Sequence, residues 1–174
     1  NFSPDDITGI WTYEVPWLLY DVQNDRFNHF DPNRDKLLGR NWQLGLTDCW
    51  AAVRDFYRFK LNILLPPPEP PPQSWNDPSW NRALERLPEA FDRVYNGELE
   101  EYDVLLYKSP WPNNNPAHVS IALQGMQDLQ IYHHPYKQLS QLAPLPSADR
   151  IHSIWRCKWP ILKSDCSEYW GAVS

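Results

Sequence analysis

The chain has 174 residues, 42% of them apolar and 22% charged, which is enough for one domain with a sizeable core and cramped for two. Proline (18) stands at about twice its common share and glycine (6) at about half, with 10 Trp against a single Met. A net charge of −6 argues against a nucleic-acid partner, and an aromatic content of 14% excludes a disordered chain.

No stretch approaches the run of roughly 18 apolar residues that a membrane span needs. The opening Asn1 to Asp6 has neither the basic nor the apolar region of a signal peptide, and it lacks an initiator Met. Cys49, Cys157 and Cys166 are too few and too widely spaced for a disulfide framework. If one pair bridges, Cys157 with Cys166 is the expected pair, leaving Cys49 free.

Along residues 1–46 periodicity is weak. Trp11, Val15, Trp17, Leu18 and Leu19 suit a short helix or strand, and 31–35 reads as a turn cluster. The first well-marked element is a helix from Cys49 to about Lys60, capped by Thr47 or Asp48. Cys49, Ala52, Val53 and Phe56 recur at three-to-four spacing, so one face should be buried, with Arg54, Asp55 and Arg58 elsewhere on the wheel. Pro66 to Pro72 reads as a stiff polyproline II connector, followed by a second helix over 79–86 and a turn or helix across 89–95.

From Tyr102 the period shortens to that of strands: Val104–Tyr107, Ala117–Leu123, Leu129–His133 and 150–158. His118, Ser120 and Ala122 alternate with Val119, Ile121 and Leu123. Helices followed by an antiparallel meander predict an α+β fold.

Cysteine in the first turn of an amphipathic helix meets free backbone N–H groups and the positive end of the helix dipole, which favours thiolate. Such a thiol needs an imidazole to accept its proton and return it to a leaving group. His118 opens a strand and can supply that ring, with His133 close enough across a hairpin to orient it. A nucleophilic Cys at a helix start with His on a following antiparallel sheet is the papain-like layout. The Tyr132-His133-His134 run lacks further ligands at supporting spacing, so no metal is expected.

The stretch from Gly39 to Tyr57, centred on Asp48-Cys49-Trp50, resembles the catalytic-helix segment of NlpC-type peptidoglycan cysteine peptidases. More narrowly, it is similar to the tail tip assembly protein K group of long-tailed phages. The likeness continues through Asp103-Val104-Leu105-Leu106, through His118-Val119-Ser120-Ile121 and through Ile131-Tyr132-His133-His134, and so covers roughly 38–142. Tyr102, Trp50 and Ser120 depart from the family pattern, with Tyr102 and Ser120 replacing its glycines.

The resemblance implies a papain-like NlpC fold with domain limits of 38–160, an interface-forming extension over 1–37 and a tail over 161–174. It makes Cys49 the nucleophile, His118 the general base and His133 the orienting residue, with His134 as fallback. Asp48, Trp50 and Ser120 would line the substrate site, and no cofactor is implied. It further implies a virion enzyme of the phage tail tip, docked on other tip or hub proteins. Such an enzyme acts on peptidoglycan stem peptides in the host periplasm or cell wall. The alternative is a structural tip component with catalysis weak or lost.

Overall fold

A computed structural model describes residues 2–13, 15–32, 37–66, 87–108, 116 and 118–160. The expected loop and helix over 67–86, Cys166 and the tail over 161–174 lie outside the described residues. The architecture is α+β. In chain order come α1 (Pro4–Tyr13), β1 (Trp17–Asp21), β2 (Arg26–Phe30), α2 (Cys49–Leu61), β3 (Phe91–Val94), β4 (Val104–Tyr107), β5 (His118–Gln124), β6 (Leu129–His133), β7 (Gln141–Pro144) and β8 (Ile151–Cys157).

The large sheet is six-stranded, in the order β3-β8-β4-β5-β6-β7, with every pair antiparallel. β4, β5 and β6 are neighbours as the expected meander requires, but its fourth place is taken by β7, which was not foreseen, while the strand expected there, β8, returns to lie between β3 and β4. Gly125 makes the β5–β6 turn feasible, because a Cβ there would sit 2.5 Å from the Asp128 carbonyl oxygen. The expectation of a turn or helix across 89–95 is corrected. Residues 87–90 are helical, but Phe91–Val94 pair with Ile154–Cys157 as an edge strand. Asp92 and Arg93 are exposed there, so the segment carries no apolar alternation of its own, and pairing with β8 decides its state.

Strand alternation sorts the two faces of the sheet. Val104, Leu106, Val119, Ile121, Leu123 and Tyr132 share one core with Cys49, Ala52, Val53 and Phe56, so α2 covers this face. Leu105, Ala122 and Ile131 pack together as a separate cluster, with Tyr107 against it.

α2 is covered on a second side as well. Ala51 and Leu46 pack with Phe2, Ile7, Ile10 and Phe30, so α1 and the β1–β2 hairpin form a layer over the helix. Gly9 admits the Trp17 indole within that layer, since a Cβ there would lie 2.9 Å from the ring. The outer face of the hairpin stays open: Leu18, Tyr20 and Phe27 are all exposed.

Because α2 is covered on two sides, the expectation that Arg54 and Asp55 lie away from the core is also corrected. Both are buried. Asp55 forms an ion pair with buried Arg40 at 2.7 Å. The 37–40 segment is in turn fastened to β6 and to Ser140, the residue before β7. Tyr132 Oη and Ser140 Oγ both donate to the Leu37 carbonyl, at 2.9 and 2.6 Å, and Arg40 N–H donates to Ser140 Oγ at 2.8 Å. Asp55→Ala should therefore cost about 3 kcal/mol or more, because it strands a buried guanidinium. Replacing Arg40 and Asp55 together with apolar residues should recover much of that loss. Urea unfolding of the single and double variants measures both.

Candidate active site

The loop before α2 is built around one carboxylate. Asp48 is the N-cap, with extended backbone (φ −77, ψ −172), and its Oδ1 accepts from the Ala51 N–H at 2.9 Å. Its Oδ2 accepts from the Gly45 N–H at 2.6 Å, and Gly45 itself has φ 75. Of the two cap candidates, Asp48 fills the role, while Thr47 Oγ1 donates to the Asn41 carbonyl at 2.7 Å. This frame fixes Cys49 as the first residue of the helix. At the other end Asn62 is a left-handed C-cap (φ 54), and Arg58 and Lys60 suit the negative end of the dipole.

Cys49 is a buried free thiol. Burial, and then the neighbouring Asp48 carboxylate, push it up to about 12, while the backbone N–H groups of Val119, Trp50 and Cys49 itself pull the other way. The expected depression at the helix N-terminus is therefore overturned: amide and dipole support is present, but desolvation outweighs it. The Val119 amide is bonded to the carbonyl carbon of His118. The sulfur thus meets β5 at the peptide bond that follows His118.

His118 stands on the same face of β5 as Ser120, and two adjacent strands hold it. Its Nε2 lies 3.0 Å from Nδ1 of His133, with the rings edge to face at 5.3 Å. On the other side Tyr107, its direct partner in the β4–β5 register, brings its ring to 5.1 Å. When Nε2–H donates to His133, Nδ1 of His118 keeps its lone pair, which is the tautomer a general base needs. Burial, then the neighbouring His133 and His134, lower His118 to about 3. His133 is also lowered by burial.

The structure brings His133, not His134, to His118. Register explains why: His133 pairs with Ser120, two residues along the same face, whereas His134 projects the other way and places its Nε2 3.0 Å from the Gln138 carbonyl. The three residues expected to line the substrate site fall differently. Asp48 is buried with both oxygens used in the cap, and Ser120 is fully buried with its Oγ 2.7 Å from Tyr107 Oη. Trp50 is half-buried against the main core. Tyr107 was missed by sequence reasoning, although its phase with Leu105 on β4 puts it on the face of His118.

Among the described residues, no three His, Cys, Asp or Glu side chains converge as a metal-ligand group. No described helix is long and apolar enough to cross a membrane.

No family model matches the chain, and no curated protein is detectably similar to it. Among solved structures it is similar to a Staphylococcus aureus subsp. aureus Mu50 protein described as similar to lipoprotein, of the NLP/P60 family. The two share 18% identity with a TM-score of 0.46, over 70% of this chain and 37% of that one.

Proposed function

We propose that the chain is a cysteine peptidase of the NlpC type that hydrolyses an amide in peptidoglycan stem peptides, as part of a phage tail tip. The observation that carries this reading is the hydrogen bond that the Val119 N–H, next in the chain to His118, gives to the Cys49 thiol. The helix-opening thiol abuts β5 at the peptide bond after His118, whose ring is held through Nε2 by His133. The resemblance of 38–142 to that family supports the substrate class.

In the first step Cys49 Sγ bonds to the carbonyl carbon while its proton passes to Nδ1 of His118. The tetrahedral oxyanion collapses, the C–N bond breaks, and His118 returns the proton to the leaving amine. Water then attacks the thioester, giving a proton to His118. The C–S bond breaks, and sulfur recovers that proton. His133 holds the imidazole throughout. The Cys49 backbone N–H is one candidate donor to the oxyanion.

A second reading, a structural tip component, is favoured by one observation: the open apolar face of the β1–β2 hairpin, with Leu18 at 64% and Phe27 at 66% exposure. Purified sacculi separate the two. The wild-type chain should release stem-peptide fragments, and Cys49→Ala and His118→Ala should release none above background. Release that survives Cys49→Ala overturns the peptidase, and no release by a folded wild type favours the structural role.

A further inference from the structure

Four side chains on one face of the sheet form a crossed pair of contacts. Tyr107 and His118 are direct partners across β4 and β5, and Ser120 and His133 are direct partners across β5 and β6. The polar contacts run along the diagonals: Tyr107 Oη to Ser120 Oγ at 2.7 Å, and His118 Nε2 to His133 Nδ1 at 3.0 Å. One diagonal links β4 to β5 and the other β5 to β6, with β5 common to both. We infer that Tyr107 is a positioning residue for His118: its ring walls the imidazole on the β4 side, and its hydroxyl, anchored on Ser120, fixes that ring.

A histidine on a strand has two side-chain torsions, and one hydrogen bond to His133 leaves the ring free to swing about that contact. An aromatic ring at 5.1 Å, tilted by 54°, blocks the swing toward β4. That ring packs against Leu105, Ala122 and Ile131, and Ser120 Oγ ties its far end from inside the core, where it is fully buried. Ser120 thus supplies a hydroxyl at a position where the resembling family carries glycine. Reaction rates depend steeply on such placement, since a displacement of about 1 Å can cost roughly 100-fold.

The inference rests on the reading of Cys49 and His118 as the reacting pair, so the experiment carries a readout that needs no turnover. Tyr107→Phe keeps the wall and removes its anchor. Tyr107→Ala removes both, and Ser120→Ala removes the anchor from the other side. With a soluble stem peptide, Tyr107→Phe and Ser120→Ala should each lower kcat about five- to tenfold with KM unchanged. Tyr107→Ala should lower kcat about 100-fold.

In parallel, the His118 ring resonances are followed by NMR against pH. Tyr107→Ala should move the His118 midpoint upward toward the ordinary histidine value, because water reaches the ring. Phe91→Leu, which perturbs the core at the far edge of the sheet, should lower stability without moving that midpoint. An active wild type with kcat and the His118 midpoint unchanged in all three variants overturns the inference. If the wild type releases no peptide while the midpoint still moves in Tyr107→Ala, the peptidase reading fails and the positioning of His118 stands. If the wild type releases no peptide and the midpoint also stays where it was, both fail.

Discussion

At neutral pH Cys49 of the resting protein should react with iodoacetamide about a thousand times more slowly than it does once the chain is unfolded. The alkylating species is the thiolate, and each unit of pKa above ambient pH removes about a factor of ten from its population. Moving the thiol from 9.0 to about 12 therefore removes about three such factors. Steric closure of the buried sulfur adds to the effect. The His118 ring gives no rescue, because a group lowered to about 3 leaves the proton on sulfur. At neutral pH both groups are thus uncharged, the one a thiol and the other a neutral imidazole. Mass spectrometry after timed alkylation in native buffer and in urea measures the ratio. Equal rates in the two conditions would show that the thiol is open and ionised. The same shift makes the folded state lose stability as pH rises from about 9 towards 12, since only the unfolded thiol gives up its proton there.

His118 produces the opposite dependence on the acid side. Its pKa falls from 6.5 to about 3 on folding, so the unfolded chain binds a proton that the folded chain refuses. Its contribution is fully present above pH 6.5 and is lost as pH falls towards 3. At pH 4.5 the loss approaches about 2.7 kcal/mol, since each unit between that pH and the unfolded pKa is worth about 1.4 kcal/mol. His118→Gln removes the titrating group and retains a polar side chain. Urea unfolding at pH 7 and pH 4.5 should show a smaller acid loss in this variant than in the wild type by most of that amount. Identical losses would mean that the imidazole is solvated in the folded protein. His133 is lowered in the same direction, so a His118/His133 double variant should flatten the profile further.

The parts of the molecule legible in sequence are those whose pattern is local. α2 announces itself through Asp48, Cys49 and three-to-four spacing, and it begins at the expected residue. β4, β5 and β6 follow from short apolar or alternating runs, and the closeness of His118 to His133 follows from their places on adjacent strands. What was hidden depends on remote partners. The β1–β2 hairpin turns through 22–25 without glycine, Asp25 taking the left-handed backbone (φ 48). Its outward Leu18, Tyr20 and Phe27 also erase the polar half of the alternation. Arg40 and Asp55 are 15 positions apart, and no window reveals that each is buried against the other.

Tyr102 illustrates a second kind of illegibility. It stands where the resembling family has glycine, and its φ of 72 explains that preference. The strain is held by Tyr57, whose hydroxyl donates to the Tyr102 carbonyl, and by packing of the Tyr102 ring near Phe56 at 6.1 Å. A substitution that looks like a loss of family character is thus compensated inside the core. Tyr107 was overlooked for a related reason. Its role depends on Ser120, which reads as another missing glycine until the hydroxyl between them is located.

Ala51 belongs to two assemblies at once: its methyl sits in the cluster of α1 and the hairpin, and its N–H is held by Asp48, the residue before Cys49. Seating of the N-terminal layer and fixation of the Cys49 peptide are therefore a single cooperative event. Trimming that layer would uncover Leu46 and Ala51 and loosen the cap from behind. The N-terminal region is, in this sense, the back wall of the socket that holds Cys49.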